Sequence, residues 1–118
     1  MHKIAILILA DSESHGDMGR VSNALQIAKE FKEHGDEVQL VFDGAGTTWV
    51  GKLADTNSKM NPLYESVKDK VQGACSFCSS AFGVKSNVEQ AGVKLLDDFD
   101  GHPSIRALVK EGFQVMTF

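Results

Sequence analysis

The residues best placed to do chemistry lie in one stretch, Gly73-Ala-Cys-Ser-Phe-Cys-Ser-Ser-Ala-Phe-Gly83, which holds both cysteines of the chain, Cys75 and Cys78. A Cys-x-x-Cys pair in the first turn of a helix makes a redox dithiol, because helix amides and the nearby second thiol depress one thiol pKa. Ala74 to Phe77 is short and apolar, as an interior strand would be, and Cys78 follows at its carboxyl end. Ser79, Ser80 and Gly83 are turn and helix-cap residue types. Side chains alternate along a strand, so a strand through this stretch points residues three apart to opposite faces. The expectation is therefore a split pair. Cys78 is the reactive thiol, with the Ser79 and Ser80 amides and a helix dipole to stabilise its thiolate. Cys75 is a small buried residue or an assistant. A disulfide between them requires the chain to turn from Ser76 onward.

Other groups able to take part lie at the carboxyl ends of the first two apolar runs. Asp11 to Arg20 gathers Asp11, Glu13, His15, Asp17 and Arg20, and His15 is the candidate base or proton partner for a thiol, although a lone loop histidine is often only solvated. Asp43 follows the second apolar run, where an Asp before Gly also has a local explanation as a turn starter. Asp11, Asp43, Ser79 and Ser80 together outline a rim that could hold a small anion or nucleotide through backbone amides. Gly44-Ala45-Gly46 lacks the third glycine of a nucleotide fingerprint. Zinc needs about four ligands, and one Cys-x-x-Cys with scattered histidines supplies no second paired half, so zinc is expected only by assembly across subunits. No metal and no other cofactor is assigned. Trp49 roofs the site or a subunit contact, or sits in the core with Leu53.

These residues need a scaffold, and the hydrophobic pattern supplies one. Ile4 to Ala10 is apolar without alternation, which marks a strand covered on both faces in a parallel sheet. After a polar loop from Asp11 to Gly19, Val21, Ala24, Leu25, Ala28 and Phe31 recur at helical spacing until Gly35. Val38 to Phe42 is the second strand. Thr47 or Thr48 caps a short helix with Trp49, Val50, Leu53 and Ala54 inside. Asp55 to Asn61 reads as a mobile surface loop, and Pro62 opens a helix with Leu63, Tyr64, Val67 and Val71 on one stripe. Beyond Cys78 come a brief helix stopped by Gly92, a fourth strand Val93 to Leu96, an acidic turn and a helix after Pro103 with Ile105, Leu108 and Val109 inside. Phe113 to Phe118 is a fifth, paired strand. Alternating strands and helices imply right-handed crossovers and a three-layer α/β/α sandwich in one domain, residues 1–118.

Composition narrows the function classes. Twelve basic against sixteen acidic residues give a net charge of −4, with no Lys/Arg cluster, which argues against nucleic acid or an anionic membrane as partner. Ile4 to Ala10 is too short to span a bilayer, and Asp11-Ser12-Glu13 stands where a signal peptide would carry its cleavage site. Two cysteines three positions apart cannot staple a secreted fold, so a reducing, cytoplasmic setting is expected.

With these residues laid out, the chain resembles the DsrE-like superfamily over nearly its whole length. The resemblance rests on the Gly-Arg loop after the first strand, Val-Phe-Asp-Gly-Ala-Gly after the second, Ala-Cys-Ser-Phe-Cys-Ser-Ser-Ala-Phe-Gly-Val after the third, and the closing Gly-His-Pro-Ser-Ile and Gly-Phe-Gln-Val-Met-Thr-Phe. It implies a five-stranded parallel sheet of order 4-3-2-1-5 and homo-oligomers, often trimers or hexamers. In sulfur-relay members a cysteine after the third or fourth strand accepts persulfide sulfur and passes it between donor and acceptor proteins. By position that cysteine corresponds to Cys78, less securely to Cys75. The Cys-Ser-Phe-Cys form looks more like the uncharacterised single-protein branch. The expected function is thus a sulfur (persulfide) carrier or thiol-based sensor using Cys78, with a non-catalytic small-ligand or assembly module as the alternative.

Overall fold

The computed structural model describes residues Met1–Phe118. Five strands, β1 (Lys3–Ile8), β2 (Glu37–Phe42), β3 (Val71–Cys75), β4 (Leu95–Leu96) and β5 (Gln114–Thr117), form one all-parallel sheet in the order β4-β3-β2-β1-β5. This is the α/β architecture and strand order that the resemblance implied. Six α-helices run between the strands: α1 (His15–Glu33), α2 (Trp49–Ala54), α3 (Asn61–Val67), α4 (Ser76–Ala81), α5 (Lys85–Gln90) and α6 (Ile105–Lys110).

The two faces of the sheet are covered unequally. On one face Ile4, Ile6 and Ile8 of β1 and Val38, Leu40 and Phe42 of β2 join Val21, Leu25 and Ala28 of α1, Val50 and Leu53 of α2, and Tyr64 and Val67 of α3 in the main core. On the other, Ala5, Leu7, Val41 and Leu96 meet Leu108 of α6 and Phe113, with Ile105 and Val115 packed at the edge. The unalternating apolar run of β1 follows from this, since both of its faces are buried.

Several boundaries differ from those the pattern predicts. Ser14 caps α1 by accepting the Asp17 amide, so the helix starts at His15 and absorbs half of the expected polar loop. The segment after α2 is folded into turns, with Asp55 and Ser58 holding the amides of Asn57 and Met60 and with the Asn61 side chain bonded to the Leu53 carbonyl. Val71 belongs to β3 rather than to a helical stripe, and Val109 faces solvent. The expected fourth strand shortens to Leu95–Leu96. Most consequential, β3 ends at Cys75 and a helix begins at Ser76, two residues earlier than the apolar run suggests. At the carboxyl terminus β5 is docked as expected, with the Phe118 amide donating to Leu7 and the Leu9 and Ala10 amides donating to Phe118. No helix is long and apolar enough to cross a membrane.

Candidate functional site at the β3–α4 corner

Because the chain turns at Ser76, the alternation that would separate the cysteines does not operate between them. Cys75 sits at the N-cap of α4, where its Sγ accepts the Cys78 amide at 3.4 Å. Both thiols are free, Cys75 fully buried and Cys78 partly exposed. The Ser79 hydroxyl donates to the Cys75 carbonyl at 2.7 Å, which fixes the corner from inside the helix. Gly73 is required two residues upstream, since a Cβ there would fall on the Lys94 carbonyl and the Leu96 side chain.

Two further segments converge on the corner. Asp43 follows β2 and caps the 3₁₀ turn Gly44–Thr48 by accepting the Gly44 amide; the same Oδ1 lies 3.5 Å from Cys78 Sγ and accepts its S–H. The loop after β4 brings His102, whose Nδ1 lies 3.2 Å from Cys75 Sγ, with the Gly101 carbonyl at 3.8 Å from the same sulfur. In the tautomer protonated at Nε2, Nδ1 accepts the Cys75 proton. This loop is tightly specified. Phe99 and His102 exchange both backbone hydrogen bonds, Asp100 and Gly101 turn with positive φ, and the Phe77 amide donates to the Gly101 carbonyl at 2.9 Å. The Phe77 ring lies against the imidazole, centroids 4.9 Å apart, while remaining more than half exposed.

The result is a group of four, Asp43, Cys75, Cys78 and His102, with one ligand-type atom from each all within 4.8 Å of one another. A single chain assembles it, where the sequence suggested that four ligands would need a second subunit. Burial pushes the Cys75 thiol up to about 12, opposed by the Cys78 amide and reinforced by the Cys78 side chain and the Asp43 charge. Cys75 is thus held as a thiol, and the more accessible Cys78 is the better placed nucleophile.

The remaining predicted residues have other placements. His15 is exposed in the first turn of α1 and lines a shallow depression with Ser12, Glu13, Ser14 and Met18. The structure brings His102, not His15, to the thiols. Asp11 accepts the Ser12 amide through its side chain and the Trp49 indole N–H through its carbonyl, so Trp49 is an anchored core residue. Ser79 is buried with its hydroxyl committed, and Ser80 is exposed on α4. His102 was legible only as part of the Gly-His-Pro segment, because nothing in its sequence spacing links it to Cys75 across 27 residues.

A profile of the DsrE/DsrF-like family matches residues 4–118. The chain belongs to the DsrE/DsrF-like family. It is 30% identical over 115 residues to the uncharacterized protein MJ0733 of Methanocaldococcus jannaschii, covering 97% of this chain and 93% of that one. Two solved structures share the fold of this DsrE/DsrF-like protein. One is the conserved protein of unknown function BT1422 from Bacteroides thetaiotaomicron, with a TM-score of 0.66 at 16% identity over 97% of this chain and 94% of the other. The other is the ychN protein of E. coli, with a TM-score of 0.62 at 17% identity over the whole of both chains.

Proposed function

We propose that this DsrE/DsrF-like protein is a cytoplasmic thiol protein that accepts sulfane sulfur on Cys78. The observation that supports it most is the pairing of an accessible thiol with a second, buried thiol that has its own proton acceptor. In the loading step the Cys78 thiolate attacks the outer sulfur of a donor persulfide, RS–SH. A Cys78 S–S bond forms, the donor S–S bond breaks, and RS⁻ leaves as a thiolate, so the total oxidation level is unchanged. Asp43 orients the Cys78 S–H beforehand. A second step gives the sensor behaviour. Cys75, passing its proton to His102, attacks the inner sulfur of the Cys78 persulfide; a Cys75–Cys78 disulfide forms and HS⁻ leaves, and a dithiol reductant later restores both thiols.

A ligand-binding module gains less support. The five main surface depressions of the molecule are lined by residues other than Cys75, Cys78, Asp43 and His102. The Asp43 carboxylate also opposes an anion at this corner. The open site flanked by exposed Phe77 suits a donor arriving at a surface more than a small molecule enclosed in a cavity.

Peptide mass mapping after incubation of the reduced protein with a persulfide donor tests the reading. One added sulfur atom is expected to stay on Cys78 in Cys75→Ser, the wild type is expected to go on to a Cys75–Cys78 disulfide, and no added sulfur is expected in Cys78→Ser. An unmodified Cys78 under conditions that label a control thiol would refute it.

A further inference from the structure

We propose that Asp43, Cys75, Cys78 and His102 form an intrachain binding site for a thiophilic divalent cation of the zinc class. This goes beyond sulfur loading and does not depend on it. The donor set is two sulfurs, one imidazole nitrogen and one carboxylate oxygen, the combination that favours zinc over magnesium or calcium.

The geometry is close to what the ion requires. Around a tetrahedral zinc with bonds of about 2.0 to 2.3 Å, neighbouring ligand atoms stand roughly 3.3 to 3.8 Å apart. Cys75 Sγ and His102 Nδ1 are 3.2 Å apart, Cys78 Sγ and Asp43 Oδ1 are 3.5 Å apart, and no pair exceeds 4.8 Å. Side-chain shifts of an ångström or less would close the tetrahedron. The Cys78 amide already points at Cys75 Sγ, a donor that would stabilise a metal-bound thiolate in this Cys-x-x-Cys corner.

The supports behind the ligands are also in place. The Gly44 amide holds Asp43, the Phe77 ring and the Phe99–His102 turn hold the imidazole, and the Phe77 amide ties the His102 loop to the cysteine helix. Asp43 takes part in none of the chain's ion pairs, so no Lys or Arg competes with a cation for it. Asp43, Cys78 and His102 are all partly exposed, which leaves an entry path from the surface. Binding would displace the thiol protons into solvent and leave the thiolates bonded to the metal, with no change in oxidation state. A bound ion would also cap Cys78, making metal and sulfane sulfur mutually exclusive occupants.

The test is a zinc titration of the reduced, chelator-treated full-length protein against a chromophoric competitor, with cobalt(II) as the spectroscopic probe. The expected result is one ion per chain, a thiolate-to-cobalt charge-transfer band and the intense visible bands of a tetrahedral ion. His102→Ala, on a partly exposed loop, and Cys78→Ser should each weaken zinc by about tenfold or more. Asp43→Asn should weaken it too, with its fold checked by circular dichroism. Zinc binding that survives His102→Ala and Asp43→Asn undiminished would reduce the site to a bare dithiol and overturn the proposal, as would failure of the wild-type protein to bind.

Discussion

Cys75 and Cys78 differ first in their access to solvent, and the difference comes from a single helix start. With Cys75 as N-cap, its side chain is turned inward toward His102, while Cys78, three residues into the turn, is left partly exposed beside Asp43. The order of events in the proposed chemistry, Cys78 before Cys75, follows from that asymmetry. Another buried polar group has no such partner. The Tyr64 hydroxyl is wholly enclosed between α3 and the main core without a hydrogen bond, and burial raises its pKa. An unpaired buried hydroxyl costs on the order of 1 to 3 kcal/mol. Tyr64→Phe removes the hydroxyl and keeps the ring, so thermal or urea unfolding should show stability unchanged or raised by about 1 kcal/mol. A loss of stability would show that the hydroxyl has a partner. At this scale the sequence was legible for residue type and not for company: Cys75, Cys78 and Asp43 stand out as chemistry-bearing, but the meeting of Cys75 with His102 depends on how a loop folds back, which no local pattern encodes.

At the scale of elements, the site is held by turns that tolerate little change. Gly46 lies in the 3₁₀ turn that follows Asp43, and a Cβ there would overlap the Ile8 carbonyl at the end of β1. Backbone cannot yield as a flexible side chain does. Gly46→Ala should therefore cost about 3 kcal/mol or more in chemical denaturation and shift Asp43 with it; a cost below about 1 kcal/mol would mean that the turn is free to move. Farther from the site, Lys32 of α1 bonds Asp69 at 2.7 Å and the Ser66 carbonyl at 2.7 Å, tying α1 to the segment leading into β3. The lysine hydrogen bond holds the Asp69 carboxyl below its ordinary value of 3.8. A lowered folded-state pKa means stability that is present above the unfolded value and lost as pH falls through the folded one. The pair is largely exposed, so Asp69→Asn should cost no more than about 1 kcal/mol at neutral pH, with the gap to wild type closing below about pH 4. A gap that widens in acid would contradict the assignment. The strands of this framework were readable because β1 and β2 carry long buried runs. The β3–α4 boundary was not, since Ser76 and Phe77 suit either state and tertiary hydrogen bonds to Cys75 and Gly101 decide it.

For the whole molecule, the strand order, the DsrE/DsrF-like family profile and the two shared folds all agree with one scaffold. The topological switch in the order β4-β3-β2-β1-β5 lies between β1 and β5, whereas the four-residue group sits at the carboxyl ends of β2 and β3. The usual switch-point rule for α/β ligands therefore does not locate this centre. Packing does: the turn after β2 contributes Asp43, the β3–α4 corner contributes Cys75 and Cys78, and the loop after β4 contributes His102 to the same small volume. The unequal covering of the sheet, with α1, α2 and α3 on one face and α6 alone on the other, was hidden from sequence because apolar runs report burial and not what provides it. The most direct measurement is the sulfane sulfur released to cyanide as thiocyanate by protein loaded with a persulfide donor and freed of excess donor. About one equivalent per chain from Cys75→Ser, which cannot discharge the persulfide as a disulfide, and essentially none from Cys78→Ser is the predicted result; no cyanide-labile sulfur in Cys75→Ser, or the same amount in Cys78→Ser, would contradict it.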